Sequence, residues 1–437
     1  MKIGIIGLGF VGLTFASVLA QRGYDVIGID SNKRKIQSIK SGKTPFYEPG
    51  LENILKKALK KKLIFSERID DSVKKCDLIF VAVGTPMTVN GGIDLTNILN
   101  ASKQIGKSLS NSNNHPIIII KSTVIPGTTD NQIRKSLEKN SKKESGKDFG
   151  LITNPEFLRE GKAVNDTLYP HIITIGGNDK NNNIKLKRFY EKFYNSKIPI
   201  IITNSSTAEM IKYANNSFLA TKISFINSIA NLCQNLPGTN VDDVAKAIGI
   251  DARIGKQFLN AGPGYGGSCL PKDLQAIIKF SKKIGVESVL LKAVHETNIH
   301  QIEKILKLLK KHVGDIKNKK ITILGLAFKE DSDDIRESVS VKLIKKLIPK
   351  DVNITVHDPK AINNTKDVFK DKIKYCNRID DALKDSQCVI LMTPWKQYSK
   401  LKESDFKKMK NKIIIDTRRI LKFKDKNSTH IELGVGK

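Results

Sequence analysis

Cysteine is scarce in this chain: Cys76, Cys233, Cys269, Cys376 and Cys388 are odd in number and lack the close pairing that zinc ligation uses. A disulfide framework and a metal site are excluded on that ground, and the compartment reads as reducing and cytoplasmic. Long apolar runs are missing too. The longest, such as LIFVAV and the isoleucines of PIIIIKSTV, fall well short of the ~18 uninterrupted apolar residues of a membrane span. Acidic residues are outnumbered, 44 against 75 basic ones, for a formal net charge of +31. Such an excess invites a nucleic-acid or membrane-surface reading. Only eleven of the basic residues are arginine, however, and no Arg-rich or aromatic-interleaved patch occurs. The planar fork that serves phosphate and base recognition is therefore in short supply. The lysines lie on polar helix faces among Ile and Asn, so the charge reads as a solvated surface produced by biased residue usage. Neither nucleic acid nor membrane is expected as a partner.

What is present is a chain of 437 residues, 39% hydrophobic, about three domains long by a prior of ~150 residues each. Strand-like runs KIGIIG, DVIGID, DLIFVAVG, PIIIIKSTV and GLITNP alternate with helical segments up to about residue 200, the pattern of a doubly wound parallel sheet. Residues 206 to 236 read as one long helix, with apolar Ala208, Ile211, Ala214, Phe218, Ile223, Ile226 and Ile229 at helical spacing and a stop at Pro237 and Gly238. KKITILGLAF, NITVHD, QCVILMT and NKIIIDT then begin a second strand series. The expected architecture is α/β: two Rossmann-like doubly wound domains, 1–203 and 306–437, joined by a central helical segment, 204–305. A long two-sided helix suits a dimer interface, and a buried helix of a single core reads identically in sequence.

The N-terminal apolar run ends in small residues and superficially resembles a secretory signal. Its glycines argue against that. Gly7, Gly9 and Gly12, with Phe10 and Val11 between them, form G-x-G-x-x-G directly after a strand. In that pattern Gly7 makes the turn, Gly9 lets backbone approach a pyrophosphate, and Gly12 allows close helix packing. DVIGID ends in Asp30, near the ~20-residue offset of a ribose-binding acid. A carboxylate there accepts from ribose hydroxyls and repels a 2′-phosphate, which favours NAD; Arg34 and Lys35 nearby leave NADP open. The GLAF turn of the second series lacks the full fingerprint, so no second NAD site is expected there.

Residues 262–273, GPGYGGSCLPKD, set Cys269 among four glycines beside Lys272 and Asp273. Glycines let backbone approach a ligand, and a cationic neighbour favours the nucleophilic thiolate. On composition alone the segment reads rather as an inert cysteine in a glycine turn.

Together with GLGFVG (7–12), VGTP (83–86), KSTV (121–124), NPEFLREG (154–161), AEMIKYANN (208–216), RIGKQFLNAGPGYGGSCLPKD (253–273) and GLAFKEDSDDIRES (325–338), the chain resembles the UDP-glucose/GDP-mannose dehydrogenase family over nearly its full length. The resemblance implies oxidation of a nucleotide sugar's C6 alcohol to a carboxylate with NAD. Cys269 is then the nucleophile that traps the aldehyde and carries a thioester. Lys212 and Asn216, four apart and so on one helix face, are implied to stabilise the developing oxyanion. Asp273 and Thr123 are implied to hold the hydrolytic water, with Glu156 and Glu160 near the sugar. For the cofactor the resemblance adds Lys35, Thr85, Thr123, Glu160, Lys272 and Arg336. For the substrate it implies Glu156, Phe157, Leu158, Arg159, Glu160, Lys212, Asn216, Phe258, Leu259, Asn260, Ala261, Gly262, Gly266 and Lys329, with Arg253 reaching in from a partner subunit of a homodimer or larger oligomer. Departures bear on the sugar: His171 follows Pro170 where Arg is common, Leu270 stands where Phe is common, and Glu330 and Val339 replace prolines. The stretch 253–267 favours UDP-glucose; Leu270 is also seen in the GDP-mannose branch, and UDP-N-acetylhexosamine dehydrogenases share the chemistry.

Overall fold

The computed structural model describes residues 1–423 and 428–436. The chain parts into two compact units, 1–215 and 216–437, and the boundary falls inside one long helix, Ser205–Cys233. That helix starts where expected and ends a turn earlier than Pro237 would require.

The first unit is built on eight strands: β1 (Lys2–Ile6), β2 (Asp25–Ile29), β3 (Leu63–Ser66), β4 (Leu78–Val81), β5 (Ile117–Ile120), β6 (Gly150–Thr153), β7 (Ile173–Gly176) and β8 (Ile200–Thr203). Their order is β3-β2-β1-β4-β5-β6-β7-β8. Strands β4 and β5, LIFV and IIII, are buried along their whole length, as central parallel strands covered on both faces require. Strands β3, β7 and β8 escaped the sequence reading; β3 and β8 are the sheet's edges, and β8 is half exposed. The expectation of a wholly parallel sheet needs one correction: β7 meets β6 antiparallel, through Thr153 and Gly176. Both ends of the connecting segment 154–172 therefore lie at the carboxyl edge of the sheet, where ligands bind in open α/β sheets. A parallel crossover would have carried that segment away.

The second unit joins the rest of the long helix, the helices Val241–Ile250, Leu270–Lys283 and Val289–Val313, and six further strands. These are β9 (Lys320–Leu324), β10 (Asn353–His357), β11 (Lys374–Tyr375), β12 (Cys388–Leu391), β13 (Ile413–Asp416) and β14 (Thr429–Glu432), ordered β11-β10-β9-β12-β13-β14, every neighbouring pair parallel. Short β11 and β14 are additions to the sequence reading. Helix Val289–Val313 runs through residue 305, and its Ile302, Ile305 and Leu309 share one core with Ile321, Ile323, Val356 and Ile390 of the sheet. At about 2 kcal/mol for each fully buried isoleucine, that core ties the helical segment to the C-terminal sheet.

Candidate active site

In the first unit, Gly7 (φ +92°) turns the chain out of β1, and a Cβ on Gly12 would lie 1.8 Å from the Gly7 carbonyl oxygen. Only glycine fits at Gly12. Around Gly9, by contrast, a Cβ would meet nothing within 4 Å. The opening lies at the start of helix Phe10–Gln21, whose N-cap Gly9 offers no side-chain cap, so its first amides are available to an anion. Phe10 stacks on Phe46 beside it, with ring centroids 4.5 Å apart. Asp30, buried at the end of β2, accepts from the Leu8 amide (2.9 Å), the Asn32 amide (3.0 Å) and Lys35 Nζ (2.7 Å). Lys35 is thus drawn to the carboxylate, while Arg34 is exposed. Thr85 donates its hydroxyl to the Thr123 carbonyl (2.8 Å), pinning together the loops that follow β4 and β5. This constellation fits a dinucleotide.

Segment 154–161 is held at several points. Buried Lys212, on the long helix, donates to the Glu156 carbonyl (2.6 Å) and to Glu156 Oε1 (3.1 Å) and lies 5.4 Å from the centre of the Phe157 ring. Glu156 Oε2 also accepts from the Leu158 amide. Arg159 forks onto Asp166 at 2.9 and 2.6 Å. Buried Glu48 accepts from the Gly161 and Ala163 amides (2.7 and 2.8 Å), and half-buried Glu160 lies between these anchors. Glu209, one turn before Lys212, accepts from Gly127 and Thr129 amides; burial pushes its carboxyl up to about 7.

In the second unit Cys269 is half-buried and caps the N-terminus of helix Leu270–Lys283, with its thiol 3.5 Å from the Ser268 hydroxyl. The position is favourable to a thiolate, because the helix dipole presents its positive end there. One turn on, the buried Asp273 carboxylate accepts from Asn216 Nδ2 (2.6 Å) and from Lys272 Nζ (2.6 Å). A charge-assisted chain of amide, acid and ammonium thus stands one helical turn from the sulfur. The glycine run before the thiol is filled largely by the protein itself. A Cβ on Gly266 would lie 2.3 Å from the Glu337 carbonyl oxygen, and one on Gly262 2.6 Å from Arg418 Nη1. Packing alone therefore leaves little room for a side chain at either glycine.

Three family descriptions match in chain order: UDP-glucose/GDP-mannose dehydrogenase family, NAD binding domain, over residues 1–194; central domain, over 206–300; and UDP binding domain, over 322–423. The chain belongs to the UDP-glucose/GDP-mannose dehydrogenase family. It is an NAD-dependent nucleotide-sugar dehydrogenase. A UDP-glucose 6-dehydrogenase of Rickettsia conorii is 39% identical over 428 residues, covering 96% of this chain and 96% of that protein. One from Bacillus subtilis is 37% identical over 430 residues, covering 97% and 90%. The solved structure of a UDP-glucose dehydrogenase from Pyrobaculum islandicum, 33% identical, superposes with a TM-score of 0.91 over 99% of this chain and 96% of that one.

The remaining residues implied for this family's site lie in the second unit. Arg253, with 90% of its side chain exposed, forks onto Asp251 (3.0 and 2.6 Å), and Arg336 forks onto Asp334 (2.9 and 2.6 Å). Phe258 holds a left-handed backbone (φ +65°), a costly conformation for a bulky residue, next to Leu259, Asn260 and Ala261. Lys329 Nζ lies 5.8 Å from the centre of the Phe328 ring. Sequence reasoning missed the groups that hold this loop. Asn227 on the long helix accepts from the Gly262 amide (2.8 Å), and Asn298 pairs with both backbone groups of Tyr265 (2.8 and 3.0 Å). Arg419 reaches the Ala261 carbonyl (2.9 Å), while Arg418 lays its guanidinium against Gly262. An asparagine on a helix reads as polar surface, and nothing in its neighbours announces a buried clamp. The TRRIL stretch carried no spacing signal. Among the described residues no group of His, Cys, Asp and Glu is placed to hold a metal, and no helix is long and apolar enough to cross a membrane.

Proposed function

We propose that this enzyme oxidises UDP-glucose to UDP-glucuronate through a covalent intermediate on Cys269. The carrying observation is the Cys269 thiol at a helix N-terminus, one turn from the Asn216, Asp273 and Lys272 chain. NAD, when bound, accepts the hydrides removed from C6, and the open face at Gly9, with Asp30, Thr85, Thr123, Lys272 and Arg336, supplies its contacts. Loss of the first hydride and the alcohol proton leaves an aldehyde. The Cys269 thiolate adds to that carbon, forming a C–S bond, and the oxygen takes the charge. Lys212 and Asn216 stabilise that oxygen. Loss of the second hydride gives a thioester, and water held by Asp273 and Thr123 adds to it, its proton passing to Asp273 with help from Glu160. The C–S bond breaks, releasing carboxylate and thiolate.

Glu156 fixes Lys212, segment 154–161 and loop 258–266 grip the sugar nucleotide, and Lys329 meets the diphosphate. Residues 1–203, 204–305 and 306–437 act as the NAD-binding, helical and nucleotide-sugar-binding parts. Arg253, exposed and five positions before Phe258, completes the site of a second copy in a homodimer. A cytoplasmic setting suits the free thiol. Leu270 in GSCLPKD favours a second reading, in which GDP-mannose is the sugar oxidised.

Stoichiometry tests the reading. Each UDP-glucose should yield two NADH and a uronic acid, and Cys269→Ser should bind NAD normally yet turn over at least ~1000-fold slower, about 4 kcal/mol of barrier. One NADH with a free aldehyde, or normal uronic-acid formation by the serine variant, would refute the mechanism. Faster NADH release with GDP-mannose or a UDP-N-acetylhexosamine would move the substrate assignment.

A further inference from the structure

Lys121 begins the KSTV segment immediately after β5, and nothing in the reading above uses it. Its ammonium is set among protein groups, donating to Asn154 Oδ1 (3.0 Å) and lying 5.2 Å from the centre of the Phe15 ring. Asn154 is held in turn by the buried Tyr190 hydroxyl and by its own donation to the Thr174 carbonyl (2.7 Å). Two residues on is Glu156, the carboxylate that binds Lys212 at 3.1 Å. Lys121 therefore grips the root of the segment whose tip holds Lys212.

We propose that Lys121 is a positioning residue for the reaction: from the end of β5 it fixes segment 154–156 and is coupled through the charge of Glu156 to Lys212. Burial pushes the Lys121 ammonium down to about 8; Glu156 opposes the fall and Lys212 adds to it. Lys212 has the direct ion pair, whereas Lys121 has an amide oxygen and a ring face. As pH rises through about 8, Lys121 loses its proton and its repulsion of Lys212 is lifted. A neutral Lys121 still donates to Asn154, so the segment stays in place. Lys121 also lines a cavity of about 140 Å³. At about 30 Å³ per water, several waters fit there and give the proton a route. The other titratable groups on that cavity are Arg159, Asp166, Tyr169, His171, Tyr190 and Tyr194. Asp166 is taken up by Arg159, burial holds the Tyr190 and Tyr194 phenols protonated, and the charges that act on Lys121 are those of Glu156 and Lys212.

The inference rests on the role proposed for Lys212, and two variants test it. Arginine keeps its charge at every accessible pH. In Lys121→Arg the repulsion on Lys212 therefore persists, and the alkaline limb of the kcat profile should move down by about one pH unit. Lys121→Met removes charge and donor. Its alkaline limb should not move down, but KM for the nucleotide sugar should rise roughly 5- to 20-fold as segment 154–156 loosens, with NAD affinity unchanged in both variants. An arginine profile that superimposes on wild type, or a methionine variant with unchanged KM, overturns the proposal. The assay uses whichever nucleotide sugar releases NADH, so a wrong sugar does not decide it. Carbon NMR of labelled lysine follows Lys121 without turnover, its signal identified by loss in Lys121→Met. A midpoint near 8 supports the inference, and one above 10 refutes it even if the catalytic reading stands.

Discussion

The two sheets repeat one plan and put it to different uses. Counted within each unit, β3-β2-β1-β4-β5-β6 and β11-β10-β9-β12-β13-β14 have the same order, each extending outward from its first strand. Each first strand ends in a left-handed glycine, Gly7 or Gly325, whose amide donates to the last residue of the second strand, Ile29 or His357, at 2.7 and 2.9 Å. Each second strand is followed by an aspartate that accepts from the turn after the first. There the likeness stops. Asp30 takes three donors, from Leu8, Asn32 and Lys35. Asp358 takes five: the amides of Leu326, Ala327, Lys360 and Ala361 and the Trp395 indole, at 2.6 to 3.1 Å. A carboxylate offers about four lone-pair sites, so Asp358 has no capacity left for a ribose, whereas Asp30 has some. The helix that follows the turn also differs, starting at Phe10 in the first unit and only at Val339 in the second. An acid in the right place recognises a ligand only if the fold has not already consumed it.

Substitutions can break this comparison. The largest effect belongs to Asp358→Asn, which turns acceptor into donor among buried amides: stability should fall by about 3–5 kcal/mol at 1–3 per unsatisfied group, read from urea unfolding, with NAD against NADP preference unchanged. Asp30→Asn should behave oppositely. Its stability should fall less, two amides being involved rather than four, while the preference for NAD over NADP drops ~10- to 100-fold, each tenfold being about 1.4 kcal/mol, measured as a ratio of kcat/KM values. The smallest change is Trp395→Phe, which removes one of five donors and should lower stability by about 1 kcal/mol with no change in cofactor preference. A cofactor effect from Asp358 or Trp395 would show that the second turn binds ligand after all.

The sequence displayed the first unit more openly than the second. Gly7, Gly9, Gly12 and Asp30 follow from spacing, since each has a separate geometric duty and the duties fix the intervals. The fully buried apolar runs LIFV and IIII announced β4 and β5, whereas the partly exposed edge strands β3 and β8 gave too short an alternation to register. Cys269 was visible, but its place at a helix N-terminus was not, because Pro271 inside a glycine-rich stretch reads equally as turn. The asparagines that hold its loop, Asn227 and Asn298, were invisible: long-range clamps depend on which helices meet. Lys121 was hidden in another way, its motif being noticed while the enclosure that changes its chemistry comes from Phe15, Asn154 and Tyr190, distant in sequence.

The loop before Cys269 is fastened by residues that are synthesised long after it. Ala261 waits for Arg419, 158 positions later, and Gly267 donates its amide to the Arg336 carbonyl. During translation the cysteine leaves the ribosome well before its own scaffold does. At ~5–20 residues per second, the loop spends on the order of ten seconds without its last fastening. The surroundings of the Cys269 thiol are thus completed late, and a chain cut short before residue 419 carries the cysteine without the last fastening of the loop before it.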